Sequence, residues 1–387
     1  MKEDRTTLFQ IDFKLIFILL LIATVSVIAI TAAEPSLPGN LRHINFAAQQ
    51  IEWYIIGFIG IALIMIIDFD RYKSIIWYLY GIGMVLLIGL ALHVPGAQQI
   101  KGCWGWYKLP GIGNFQPSEL MKIFMILILG TIVSDHNDKY PAKEKRDDLL
   151  LLGKIFAVSL PPLILIAKEP DLGNTGVLCA IIATIIVVSG IRLRYILSLV
   201  FITLGLGAFL VYLFFYHNEF FITHILHSYQ LDRFYGWLAP YEYPTQGFQL
   251  TQALMAAGSG LLFGKGYHQG NAYFPEPHTD FIFTVIGEQF GFIGASIVIS
   301  LFFLLIYRMI HIALESNDRF GSYICAGVVG MFAFQVFQNI GMTIGLLPIT
   351  GITLPFVSYG GSSLATNLLA VGFVLNVRSR TNKYMFD

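Results

Sequence analysis

The sequence predicts an all-α polytopic membrane protein that crosses the bilayer about ten times, with both ends cytoplasmic. Three observations carry that reading. Of the 387 residues, 56% are hydrophobic and only 12% are charged, against about a quarter charged in ordinary soluble domains. Apolar runs of the roughly 20 residues that cross a ~30 Å hydrocarbon core recur along nearly the whole chain. Lys and Arg fall mostly in alternate connections, the bias that marks cytoplasmic loops. A soluble fold is excluded. The formal net charge is zero, so no global field favours nucleic acid or an acidic partner. Cys103, Cys179 and Cys325 show neither metal-ligand spacing nor a disulfide framework and read as small buried hydrophobes.

The first apolar run, 14–33, is longer than the core of a signal peptide and is followed by further spans, so it reads as a retained helix. Spans follow at 47–68 and 74–93. The connection "GCWGWYKLPGIGNFQPSE" is rich in Gly, Pro and aromatics, which suits irregular backbone packed against helix ends. Spans at 115–134 and 149–167, the turn "AKEPDLGN", and spans at 173–190 and 194–216 come next. The segment 217–280 is a long outward loop within one integral membrane domain, 1–387, and long loops are usually functional. The last spans are 281–308, 321–342 and 362–378, with "GLLPITGITLPFVSYGGSS" between the final two.

One side holds Lys2, Arg5, Lys14, Arg71, Lys73, Lys139, Lys143, Lys145, Arg146, Lys154, Arg192, Arg194, Arg308, Arg319, Arg378, Arg380 and Lys383. The opposite side holds only Arg42, Lys101, Lys108, Lys168, Arg233 and Lys265, with Lys122 inside a helix. The first side is then the cytoplasm. Three loops converge on the outer face.

Several residues on that face can carry chemistry. In "QPSELMK", Glu119 and Lys122 are three apart on one helical face, and an ion pair follows, serving either as a structural lock or as part of a site. "AKEPDLGN" sets Lys168, Glu169 and Asp171 in a tight turn, where Asp171 either caps the next helix or holds a cation or sugar hydroxyl. Thr279 and Asp280 immediately precede a helix, with Glu288 two turns further on nearly the same face. Asp280 is either a helix cap or a general base at the water–membrane boundary, and sequence physics alone puts the cap ahead. His268 and His278 fit no metal-ligand pattern with it. "QALMAAGSGLLFGKGYHQG", which opens with Gln252, packs glycines around Lys265 in a way that suits an anion as well as a flexible loop. Ser358, Tyr359, Gly360, Gly361 and Ser362 offer hydroxyls and paired glycines, or equally close helix packing.

The blocks "QPSELMK", "EPDLG", "HTDFIFTVIGEQFGFIG", "NIGMTIGLLPITGITLPFVSYGGSS" and "AVGFVLNV" resemble those of the RodA/FtsW/SpoVE family, the SEDS proteins of bacteria. The resemblance spans almost the whole chain and, through "GCWGWYKLPG" and the lack of long cytoplasmic tails, is strongest to the RodA branch. It implies a peptidoglycan glycosyltransferase of the bacterial cytoplasmic membrane that polymerises lipid II at the outer face in cell elongation. The leaving group is undecaprenyl diphosphate. A class B penicillin-binding protein and other elongation-complex membrane proteins are the implied partners. Asp280 matches the family's catalytic aspartate. Glu119, Lys122, Trp106, Lys168, Asp171, Gln252, Lys265, Glu288 and the stretch Ser358–Ser362 are carried over as substrate-binding residues. The resemblance fixes no cofactor and leaves room for a divalent cation, Mg2+ or Mn2+, at the diphosphate. The alternative is a flippase of lipid-linked cell-wall precursors, suggested by the charged residues within helices. Against it, no inverted repeat or matched pair of broken helices is visible.

Overall fold

Short polar side chains start the helices where the sequence sets them before apolar runs. In the computed structural model, which describes residues 11–39, 41, 43–100, 102–109, 113–142, 144–216, 228–270 and 276–381, Asp12 accepts from the Leu15 amide at 2.9 Å and opens α1, Phe13–Ala33. Asn45 caps α2, Phe46–Ile66, in the same way, through the Ala48 amide at 2.9 Å. Lys2, Arg5, Arg42, Lys101, Lys143, Lys383 and the stretches 217–227 and 271–275 of the long loop lie outside the described residues.

After α3, Phe69–Ala91, the chain forms a three-stranded antiparallel sheet in the order β1 (Ala97–Ile100), β2 (Cys103–Leu109), β3 (Gly113–Phe115). The irregular connection expected here is therefore a small sheet, whose backbone groups satisfy one another instead of relying on helix ends. Next come α4, Pro117–Lys139, with proline in its first turn, and α5, Lys145–Lys168, opened by a Glu144/Asp147 capping box. They are followed by α6, Leu172–Val188, and α7, Leu193–Tyr216. The described part of the long loop is helical in two places, α8 (Ser228–Leu238) and α9 (Phe248–Ser259). The chain ends in α10 (Ile282–Glu315), α11 (Arg319–Thr343) and α12 (Gly361–Arg380).

Among the described residues, eight helices are long and apolar enough to cross a membrane: α1 to α5, α7, α10 and α11. α6 is apolar but only 17 residues long. α12 is the tenth span expected from sequence, and its polar residues explain why it stands apart from the eight. It packs along α2 and buries Thr366, Asn367 and Asn376, with the Asn376 amide donating to the carbonyls of Ile64 (2.5 Å) and Ile67 (2.6 Å). A helix shielded by its neighbours tolerates amides that lipid would not.

The core centres on α4, which is buried along most of its length among α3, α5, α6, α11 and α12. α1 lies against α10. None of the described side chains of α7 is buried. At one end of the bundle, Arg308 of α10 grips both carboxylate oxygens of Asp12, Arg378 of α12 pairs with Glu315 at 2.5 Å, and Arg380 pairs with Asp68 at 2.9 Å. The start of α1 and the end of α12 therefore share that end, as the basic-residue pattern predicts. The sheet, α8, α9 and the 344–360 loop gather at the other.

Candidate active site

At the sheet-bearing end, two loops are stitched together and Asp280 sits in the seam. The Ser358 hydroxyl donates to the Thr279 carbonyl at 2.7 Å, and the Tyr359 amide to the His278 carbonyl at 2.9 Å. Asn339 of α11 reaches across both loops, its side-chain amide donating to the carbonyls of Asp280 (2.9 Å) and Ile352 (2.7 Å). The Asp280 carboxylate faces Gly351, where a β-carbon would stand 3.6 Å from Oδ2. The cap position of α10 belongs to Phe281, which makes no side-chain cap bond, and Asp280 stands one residue ahead of it.

Below the seam, the 356–358 turn is held from the bundle. Gln50 of α2 donates to the carbonyls of Phe356 and Ser358, both at 3.2 Å. Ser26 of α1 donates to the Val357 carbonyl at 2.9 Å, and Tyr54 to the Phe356 carbonyl at 2.8 Å. Phe356 takes a φ of 65°, which a bulky residue adopts only when its surroundings impose it. The loop backbone bearing on Asp280 is thus preorganised by buried hydrogen bonds.

A second cluster stands at the starts of α4 and α6. Lys122, whose side chain is 0% exposed, meets Glu119 (7% exposed) at 2.7 Å. Asp171 caps α6 through the Asn174 amide at 2.9 Å and also accepts from the side chains of Asn174 (2.8 Å) and Gln116 (3.0 Å). Asn174 in turn reaches the Ser118 hydroxyl at 3.2 Å. Burial raises the Asp171 carboxyl above its ordinary range against the lowering effect of the Asn174 bonds, and Glu119 raises it further while Lys122 opposes. Glu169, in the same turn, is pushed up to about 8 by burial and by the neighbouring Asp171. The two clusters meet at 350–352: a β-carbon on Gly173 would stand 2.7 Å from Ile352 and 3.4 Å from the Thr350 carbonyl.

The structure does not bring Lys265 into this group. Its ammonium meets Glu288 (1% exposed) at 2.6 Å and its backbone amide donates to the Glu288 carbonyl at 3.0 Å, where α10 breaks at Gly291. Gly291 has φ 65° and ψ −163°, and the 260–266 turn fills the break, its Leu261 and Leu262 carbonyls accepting from the amides of Phe292 and Ile293. The pair locks a helix joint. Gln289 extends the joint to α1 by donating to the Ala32 carbonyl at 2.5 Å.

The remaining expected residues scatter around the rim. Trp106 is half-buried on β2 opposite Gln98, Lys168 is exposed at the end of α5, and Gln252 is half-buried on α9. Tyr359 donates to Gln49 at 2.5 Å and packs edge-on against Phe46. Ser362 donates to the Asn114 carbonyl at 3.1 Å, joining the sheet to α12. Gly360 precedes α12, and Gly361 lies so close to Trp53 that a β-carbon would stand 2.3 Å from the ring. These glycines and hydroxyls mainly hold helices together. Asn339, Gln116, Asn174 and Gln50 were not picked out from sequence; "NIGMTIG", "QPSE" and "AKEPDLGN" carried three of them, but only tertiary contact shows their task. Among the described residues, no three His, Cys, Asp or Glu side chains are grouped to hold a metal ion.

The chain matches the FtsW/RodA/SpoVE family, described as cell cycle protein, over residues 12–383. Stage V sporulation protein E of Bacillus subtilis is 37% identical over 384 residues, a match covering 96% of this chain and 98% of that protein. A probable peptidoglycan glycosyltransferase FtsW of Trichlorobacter lovleyi is 33% identical, with 95% and 93% covered. The solved structure described as "Structural coordination of polymerization and crosslinking by a peptidoglycan synthase complex" contains a chain that superposes with a TM-score of 0.77 at 25% identity, covering 97% of this chain and 99% of that one. The rod shape determining protein RodA of Thermus thermophilus superposes with a TM-score of 0.66 at 25% identity, covering 96% and 97%. With a family match over nearly its full length, relatives above 30% identity along the whole chain, and the same helix bundle, this multi-pass membrane protein belongs to the FtsW/RodA/SpoVE family.

Proposed function

We propose that this chain is a peptidoglycan glycosyltransferase that polymerises lipid II into glycan strands at the outer face of the bacterial cytoplasmic membrane, with Asp280 as general base. The observation that carries the reading is the seat of Asp280: a carboxylate just ahead of α10, set against Gly351 at a rigid seam of two loops. The names of the FtsW relatives support the reaction class.

On this reading, Asp280 takes the proton of the acceptor sugar's 4-hydroxyl as that oxygen bonds to the donor's anomeric carbon. The bond from that carbon to the phosphate oxygen breaks, its electron pair stays on the oxygen, and undecaprenyl diphosphate departs. A diphosphate needs little acid assistance, so one carboxylate suffices as base. Asp171, Asn174 and Gln116 form a polar wall that suits sugar hydroxyls, and anchoring both substrates by lipid makes a bulky encounter local. A role in cell elongation and shape rests on the resemblance of "GCWGWYKLPG" to the RodA branch. The partner on this reading is a class B penicillin-binding protein.

Purified protein given lipid II in detergent tests the proposal. Wild type makes strands, whereas Asp280→Asn folds normally and loses at least 100-fold of the rate, the range for losing a positioned base. Full activity of that variant sinks the role of Asp280. Movement of labelled lipid II across sealed vesicles without polymer would instead favour the flippase reading.

A further inference from the structure

Departure of a diphosphate leaves negative charge that a cation must meet, and the structure narrows the choice at the sheet-bearing end. Lys122 is sealed and held by Glu119 at 2.7 Å. Lys265 is engaged with Glu288 at the α10 joint. Lys108 and Lys168 stand exposed, on β2 and at the end of α5. Arg233 lies against the loop that faces Asp280. It is half-buried on α8, and its Nη1 donates to the Ile349 carbonyl at 2.7 Å. One turn further along α8, the Trp237 indole donates to the Gly345 carbonyl at 2.9 Å, so α8 is strapped across the loop that leads to the site. Two residues beyond Ile349, Gly351 faces the Asp280 carboxylate. Two residues of chain span at most about 7 Å, so the backbone points that hold the guanidinium and face the carboxylate are no further apart than that.

We infer that Arg233 binds the departing diphosphate of the donor lipid. This assignment rests on the glycosyltransferase reading and deepens it. A guanidinium carries a planar fork of donors that matches phosphate oxygens, stays protonated throughout, and is oriented here by its carbonyl bond. As the bond between anomeric carbon and phosphate oxygen breaks, the electron pair moves onto the diphosphate and the Arg233 hydrogen bonds to it strengthen. Asp280, facing the same loop, takes the acceptor proton, so base and anion clamp share one rigid segment.

Two measurements test this. Arg233→Lys keeps the charge, and Arg233→Gln keeps an N–H that can donate to the Ile349 carbonyl but loses the charge. In the lipid II assay, Arg233→Gln lowers kcat about 100-fold or more, while Arg233→Lys stays within about tenfold of wild type. Equal activity of the two variants means the side chain only positions Ile349, and overturns the inference. The second measurement uses unmutated protein and is independent of variant folding: farnesyl diphosphate, unlike farnesol, protects Arg233 from phenylglyoxal. Modification that proceeds unhindered by farnesyl diphosphate overturns the assignment. Failure of the underlying reading looks different: wild type makes no polymer, while protection of Arg233 still supports a diphosphate site.

Discussion

Glu169 shows how burial sets the charge of a single side chain. Its carboxyl lies in the turn beside Asp171 and is lifted from 4.5 to about 8 by burial first and by that neighbour second. A carboxyl raised in the folded state contributes stability that is full below pH 4.5 and is lost as pH climbs toward about 8. Thermal unfolding of the purified protein in detergent should therefore show a midpoint that falls between pH 5 and 8, and Glu169→Gln should flatten that slope. Parallel slopes for the two proteins would refute the assignment. Residues of this kind divide by how local their partners are. The Glu119–Lys122 pair and the Asp171 cap were legible in the sequence because their partners are three residues away. The partners of Asp280 were not, since Asn339 lies 59 residues downstream and only the fold brings it back.

Elements follow the same division. Most spans fall within a few residues of where hydrophobic runs placed them, because length and hydropathy are local. The eighth was expected as one helix over 281–308, whereas α10 runs to Glu315 and breaks at Gly291. "GEQFGFIG" contains three glycines, and nothing in the string says which one takes a positive φ. Packing decides: a β-carbon at Gly291 would stand 2.4 Å from the Gly264 amide nitrogen. Gly291→Ala should cost about 1–3 kcal/mol from backbone strain alone, lower the unfolding midpoint, and slow strand synthesis by misaligning the segment that follows Asp280. Gly81→Ala on α3, where a β-carbon meets nothing within 4 Å, is the matched control and should leave both unchanged. Wild-type behaviour of the Gly291 variant would remove the joint from the site's support. The sheet after α3 was missed for a related reason: a Gly- and Pro-rich connection between spans gives no long alternating run, and its strands hold by pairing with one another.

At the scale of the whole molecule, α4 is central, α12 is shielded, and α7 and much of α10 turn apolar side chains outward. Phe292, Ile293, Ser296, Ile297, Ser300 and Leu301 line a shallow groove along α10. On the proposed reading, the single span of the penicillin-binding protein packs on this side of the bundle. Cysteines placed singly at Ile293, Ile297 and Ser300 should crosslink to cysteines in that span, while cysteines at Ile51 and Ile55 on α2 should not; the reverse pattern would move the partner elsewhere. The overall bundle was legible because basic residues and hydropathy set topology, whereas the packing order of the helices was not, since lipid-facing and buried faces are both apolar.

The grip of Arg308 and Arg378 on Asp12, and of Ser26 on Val357, also carries a consequence in time. Ser26 and Val357 are 331 residues apart, so at about 5–20 residues per second the ribosome takes roughly 20 to 70 s to deliver the partner. Gln50, only 24 residues on, reaches the Ser26 hydroxyl at 3.0 Å, and Arg308 arrives for Asp12 before Val357 does, so α1 is secured in stages. The bond from Ser26 to Val357 comes last, so the turn beneath the site is anchored to α1 only once nearly the whole chain has been made.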